Sequence, residues 1–258
     1  MECKNCHTQL SADENYCSRC GARVIRNRLT LKNVLEDIYE QHLNLDNRLL
    51  ATLVHLFTKP GEVIKGYLYG LRKRYLNPIS YLGIAITLSG ILVFVIKRDF
   101  LKKLNLDVLH TGANIKGANK IFETTLDYQN FAFVFLIPLM AAVGWLVYTR
   151  PRYNFTEHLV SMTYVLAHLT IVTFPIVILL LYLDPEHFGV HSFVNIALIV
   201  LFTAYVYRKI CDYSLKTFLV RTSLYIILFV LCYFLFSVGI VVLMLLTGTI
   251  SLEDIRPK

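Results

Sequence analysis

The sequence predicts an all-α integral membrane helical bundle of about five transmembrane helices, preceded by a small N-terminal zinc ribbon. Three observations lead there. Of the 258 residues, 55% are hydrophobic and 17% charged, and the mean hydropathy is +0.53. The apolar residues gather in runs long enough to cross about 30 Å of hydrocarbon. Ahead of them stands CKNCHTQLSADENYCSRCG, residues 3–21, with two Cys-x-x-Cys pairs.

That opening stretch reads as a metal clip. Cys3 and Cys6 form one pair, Cys17 and Cys20 the other, and ten residues separate the pairs. Each Cys-x-x-Cys turn brings two thiolates towards one tetrahedral ion, and Gly21 closes the second turn with a residue free to take positive φ. Four thiolates suit Zn²⁺, which imposes no d-electron geometry and does not change redox state. Four protein ligands leave no open coordination position, so the expected zinc is structural. A segment of about twenty residues cannot bury a core of its own, so the metal supplies its folding energy. CKNCH also fits the attachment pattern of c-type haem, but that leaves Cys17 and Cys20 without a role, and His7 reads as an exposed bystander. Two disulfides are disfavoured in a reducing compartment, and a redox dithiol is a further alternative. Cys211 and Cys232 read as small buried residues near or within spans.

Residues 1–28 thus form the ribbon and a basic linker with Arg19, Arg23, Arg26 and Arg28. This side could meet acidic lipid, an acidic partner or RNA. Residues 29–78 read as cytoplasmic or interfacial amphipathic helices. One carries Leu31, Val34, Leu35 and Ile38 at helical spacing, and a second carries Leu49, Leu50, Leu53, Val54 and Phe57. After Pro60 and Gly61, an apolar stripe of Val63, Ile64, Tyr67, Leu68 and Leu71 runs beside Lys65, Arg72, Lys73 and Arg74. Such a helix suits the headgroup level of a membrane, where anionic lipids attract it, or packs on its neighbours while the arginines fix topology.

The transmembrane bundle is placed at 79–247, with spans at 79–96, 130–149, 158–183, 192–207 and 224–247, and a C-terminal tail at 248–258. Four spans with one re-entrant segment is the alternative count. The fourth span is short and should stand upright or rely on snorkelling by Arg208 and Lys209. Gly83, Thr87 and Gly90 suggest a close-packing face on the first span. Between the first two spans, FLKKLNLDVL reads as a surface helix and GANIKGANK as a loop.

Orientation rests on the short loops. DPEHFGVH contains no Lys or Arg, whereas YRKICDYSLKTFLVRT contains four, which places the N-terminus inside. No cleavable signal precedes the first apolar run. The net charge of +8 is accounted for by residues that flank the spans, so nucleic acid is not the expected partner.

The third span carries a polar face. Glu157, Ser161, Tyr164 and His168 follow i, i+4, i+7, i+11, Pro175 falls on the same side, and Asn195 on the fourth span could face them. Two readings compete: a proton or ion pathway, and structure, with Asn154-x-x-Glu157 as a capping box and His168 bonded between helices. Asp184, Glu186, His187 and His191 read as a solvated loop in preference to a metal cluster. No Gly-Lys-Ser/Thr phosphate loop, His-Glu-x-x-His motif or Gly-x-Ser-x-Gly elbow occurs, which weakens the common enzyme readings.

The chain resembles a family of uncharacterised bacterial multi-pass membrane proteins built on a domain of unknown function. The resemblance is carried by Cys3-x-x-Cys6, Tyr16-Cys17-x-x-Cys20-Gly21 and TLVHLFTKPGEVIKGYLYGLRKRYLNP, within which Pro60, Gly61, Tyr67, Gly70, Arg72, Tyr75 and Pro78 match. It covers the N-terminal third closely and implies a bacterial inner-membrane location and a zinc ribbon, with no activity to transfer. The functional expectation is a binding, regulatory or scaffold protein. Its cytoplasmic ribbon docks a partner or the membrane surface, with lipids as neighbours; the alternative is a small transporter or channel using the third-span face.

Overall fold

The computed structural model describes residues 2, 3, 5–11, 14, 17–21, 24, 48–71, 74–100, 115–149, 153–211 and 213–250, with the helical backbone alone at 115–120 and 130–133. The helix expected over 29–47, the surface helix expected over 101–109, Arg72, Lys73 and the tail from 251 lie outside the described residues. The chain divides into two compact units, Met1–Asn47 and Arg48–Lys258.

In the first unit, the segment from Glu2 to Gln9 turns back on itself through one antiparallel bridge. Cys3, Leu10 and Cys17 form its small core, with Cys6 and Val24 against it. So little apolar surface cannot hold a fold without a cross-link or a metal.

The second unit is helical. α1 (Arg48–Thr58) and α2 (Pro60–Leu68) precede α3 (Pro78–Val95), which runs on into a π-helical turn, Ile96–Phe100. α4 (Ile115–Val147) and α5 (Phe155–Leu183) follow, then α6 (Phe188–Ile210), entered through the 3₁₀ turn Pro185–His187, and α7 (Leu215–Leu246). The helix starts are written locally. Asn77 Oδ1 accepts from Ser80 N at 2.7 Å ahead of Pro78, and Ser214 caps α7. Asn154 and Glu157 form a reciprocal capping box, with bonds of 2.9 and 2.7 Å.

α5 is the central helix, packed on α2, α3, α4 and α6, and it is buried almost without interruption from Ser161 to Leu169. Consecutive long helices alternate in direction. Tyr148 at the end of α4 meets Thr222 near the start of α7, and His158 near the start of α5 meets Tyr207 near the end of α6. Ile96, Phe100, Leu126 and Leu181 close the opposite end.

α7 identifies the solvent of this unit. From Leu224 to Leu246 it carries no charged residue, yet only 6% of its most apolar 18-residue window is buried. An exposed apolar surface of that extent is not sustained in water, whereas hydrocarbon accepts it because a helix satisfies its own backbone groups. Among the described residues four helices are long and apolar enough to cross a membrane: Pro78–Phe100, Phe155–Leu183, Pro185–Ile210 and Leu215–Leu246. α4 makes a fifth if its two parts are one span, but it bends by 79° between Ile121–Gln129 and Val134–Val147. Pro138 lies one turn beyond the bend; its ring crowds the carbonyl of Val134 and removes a helical hydrogen bond.

Several expectations change. The fourth span is not short: α6 has 23 residues, about 34 Å at the helical rise, because Phe188–His191, ahead of the expected start, are already helical. Ser192 supports that turn by donating to Phe188 O at 3.0 Å. Residues 115–120 of GANIKGANK belong to α4, not to a loop. On α3 the packing stripe is Tyr81, Ala85 and Ser89. Gly83 has no neighbour within 4 Å where a Cβ would stand, and Thr87 Oγ1 donates back to Gly83 O at 2.9 Å. Small residues there face outward because Tyr81 turns the other side of α3 to the core. Pro175 is exposed, away from the buried Ser161, Tyr164 and His168.

Candidate metal centre and the polar pairs of the bundle

The four cysteines Cys3, Cys6, Cys17 and Cys20 are free, and their sulfurs all lie within 4.8 Å of one another. Cys3 and Cys20 are 3.6 Å apart, Cys6 and Cys17 3.5 Å. Four sulfurs bound at about 2.3 Å to one tetrahedral ion stand about 3.8 Å apart, so the spacing fits a single ion at their centre. The two turns are built alike. His7 N donates to Cys3 O at 2.9 Å, and Gly21 N donates to Cys17 O at 2.8 Å. His7 and Gly21, each just after the second cysteine of its pair, both have positive φ, 56° and 71°. Sequence reasoning marked Gly21 and missed His7, whose equivalent position was the available signal. The Thr8 hydroxyl, 3.3 Å from Cys6 Sγ, pulls that thiol below its ordinary pKa.

The residues of the third-span face are placed by the bundle one at a time. Glu157 closes the capping box. Ser161 Oγ donates to Glu157 O at 2.8 Å within the helix. Tyr164 donates to Leu76 O at 2.6 Å, and His168 Nδ1 is 2.9 Å from the Tyr81 hydroxyl, with Phe57 and Phe202 against its ring. Asn195 lines a separate cavity of about 310 Å³ between the helices, together with Ser89, Thr173 and Tyr233. None of the other four lines that cavity.

Sequence reasoning missed a second buried pair. His158 Nδ1 lies 2.6 Å from the Tyr207 hydroxyl, and Tyr148 stacks on Tyr207 with ring centroids 3.9 Å apart. Gly144 on α4 makes the space: a Cβ there would stand 2.3 Å from the Tyr207 oxygen. A lone His beside the capping Glu157 and a mid-helix Gly carry no periodic signal, so only the three-dimensional packing reveals them. At the other end of the bundle, Asp184 Oδ1 is 2.7 Å from His187 Nδ1, and this hydrogen bond holds the carboxyl below its ordinary pKa. His191 Nε2 lies 3.4 Å from the same carboxylate, so the loop is tied by its own groups.

On the basic connector, Val63 and Ile64 are fully buried in the main core while Arg74 is exposed. α2 therefore packs on the bundle with its apolar side and keeps Lys65 half-buried at the surface. Arg72 and Lys73 cannot be placed with them, being outside the described residues.

Comparison with known families agrees with this division. Residues 3–24 match a zinc-ribbon domain. The chain thus carries a zinc-ribbon domain at its N-terminus. Residues 46–90 match a family described as Protein of unknown function (DUF3667). No curated protein and no solved structure matches the chain. The family segment supplies α1, α2 and most of α3, and hence the Leu76 carbonyl and the Tyr81 hydroxyl bound to α5. It also supplies the Phe57 carbonyl, which accepts from Tyr205 on α6 at 2.6 Å. The matched residues form the clamp that fixes the connector onto the bundle, and the ribbon adds a metal site to it in sequence.

Proposed function

We propose that the chain is a bacterial inner-membrane binding module whose zinc ribbon, on the cytoplasmic side, docks a protein partner. The observation that carries this reading is the closed set of four thiolates. A fully protein-ligated zinc has no position for substrate or water, so the ion's role is to fold a surface. Around it, the exposed described side chains Glu2, Asn5, Gln9, Ser18 and Arg19 are polar and of mixed sign, which suits a protein contact better than an anionic bilayer. The bundle's buried histidines bond to tyrosines of neighbouring helices, a use that needs no transported ion. The cytoplasmic side is supported by the thiolates, which stay reduced there, and by the short loops, since 184–191 has no Lys or Arg while the end that joins α6 to α7 is basic. That end, where α6 finishes and α7 starts, carries Lys59, Lys65, Arg208, Lys209, Lys216 and Arg221.

The test is photo-crosslinking in cells from Ser18, in the native chain and in Cys17→Ser. The reading expects a discrete adduct that disappears in the variant while the protein remains in the membrane. The absence of any protein adduct, or the same adducts with Cys17→Ser, would sink it.

A further inference from the structure

The end of the bundle that holds α2 carries a groove of about 740 Å³. Four cations line it: Lys59, Lys65 and Arg74 from the connector and Lys209 from the last turn of α6, against one carboxylate, Glu62. The sequence places the first three near each other, but only the fold adds Lys209. Gly61 makes that possible, since a Cβ there would stand 3.0 Å from the Lys209 carbonyl oxygen; the bare glycine lets α2 seat against α6. Glu62 pairs with Lys59 at 3.4 Å. Among the described residues, no carboxylate lies within salt-bridge distance of Lys65, Arg74 or Lys209.

Among the described residues the groove thus sets four cations against one carboxylate, which is the electrostatic signature of a site for an anion. The start of α2 also lines it, with Pro60 in the first turn and no side-chain cap, and adds the positive end of the helix dipole. Its rim is apolar: Tyr69 is 76% exposed and Leu71 62%. Lys209 closes a helix that is long and apolar enough to cross the membrane. Cations in a concavity, exposed aromatic and aliphatic side chains beside them, and the end of a span coincide at the depth of lipid headgroups.

We propose that this groove is a binding site for the phosphate headgroup of an anionic phospholipid, held by Lys65, Arg74 and Lys209 with Tyr69 and Leu71 against the acyl–headgroup boundary. The site lies in the helical unit and does not depend on what the ribbon docks.

The experiment uses the full chain, purified in a zwitterionic detergent and titrated with dioctanoyl phosphatidylglycerol, dioctanoyl phosphatidylcholine or inorganic phosphate. Binding is read by native mass spectrometry. The native chain should prefer the anionic lipid, and Lys65→Gln and Lys209→Gln should each weaken its binding about fivefold, on the order of 30-fold together. A Lys65→Arg/Lys209→Arg variant should retain binding, which separates loss of charge from loss of fold. The proposal is overturned if the native chain binds both lipids equally or if the double Gln variant binds like the native chain. It is equally overturned if inorganic phosphate binds as tightly as the anionic lipid, because the ligand would then be a soluble anion.

Discussion

Gly144→Ala tests the packing at the heart of the bundle. The new Cβ would stand 2.3 Å from the Tyr207 hydroxyl oxygen and 3.3 Å from His158 Nδ1. Restoring ordinary contact requires the tyrosine to move by about 1 Å. It cannot do so freely, because its hydroxyl is 2.6 Å from His158 and its ring is stacked on Tyr148 at 3.9 Å. Overpacking costs about 1–3 kcal/mol, and leaving a buried polar partner unsatisfied costs about 1–3 kcal/mol more. The expected loss is therefore about 2–6 kcal/mol. Gly83→Ala is the matched control: its Cβ meets nothing within 4 Å, and replacing a helical glycine there should gain about 0.5–1 kcal/mol. Equilibrium unfolding of the full chain in mixed micelles, followed by helical circular dichroism, measures both. A second arm adds Tyr207→Phe to Gly144→Ala. Removing the clashing oxygen should make the double variant more stable than the sum of the two single losses by about 1 kcal/mol or more. If Gly144→Ala unfolds within about 0.5 kcal/mol of Gly83→Ala, the close approach of α4 to α6 is wrong.

Three further predictions follow from the local geometry. His7→Gly should stabilise the ribbon by about 1 kcal/mol, since a left-handed backbone is costly for a residue with a Cβ; zinc competition with a chelating dye should show tighter binding, because metal affinity and folding are linked. Gly21→Ala should do the reverse by a similar amount, for backbone reasons alone, as its Cβ would have nothing within 4 Å. Asn154→Ala removes one half of the capping box and should destabilise the bundle by about 1 kcal/mol, read by the same mixed-micelle unfolding; Asn154→Asp should retain most of the stability.

The legible parts of this protein were those with a strong period or a fixed spacing. Two Cys-x-x-Cys pairs announced the metal site because ligand chemistry needs that spacing, and the geometry of the sulfurs follows it closely. The long apolar runs announced the helices, and Asn154-x-x-Glu157 announced where α5 begins. Helix ends and faces were harder. The segment 184–191 resembled a loop, yet Phe188–His191 already form the first turn of α6. On α3, small residues suggested one packing face, but the tyrosine that reaches His168 selected the opposite one. On the third-span polar face Glu157 and Ser161 bond locally, but Tyr164 and His168 find partners 87–88 residues away, the Leu76 carbonyl and the Tyr81 hydroxyl. Such long-range partners leave no local pattern. The same is true of Lys209, whose place beside α2 depends on the glycine at 61.

The central claim is that a metal-folded ribbon is joined to a membrane bundle, and metal content together with thiol protection in the purified full chain tests it most directly. Elemental analysis should find one zinc per chain, and of the six cysteines the four at Cys3, Cys6, Cys17 and Cys20 should resist a thiol reagent until the zinc is chelated, then react together. A chain without bound zinc whose four N-terminal thiols react at once would contradict the account.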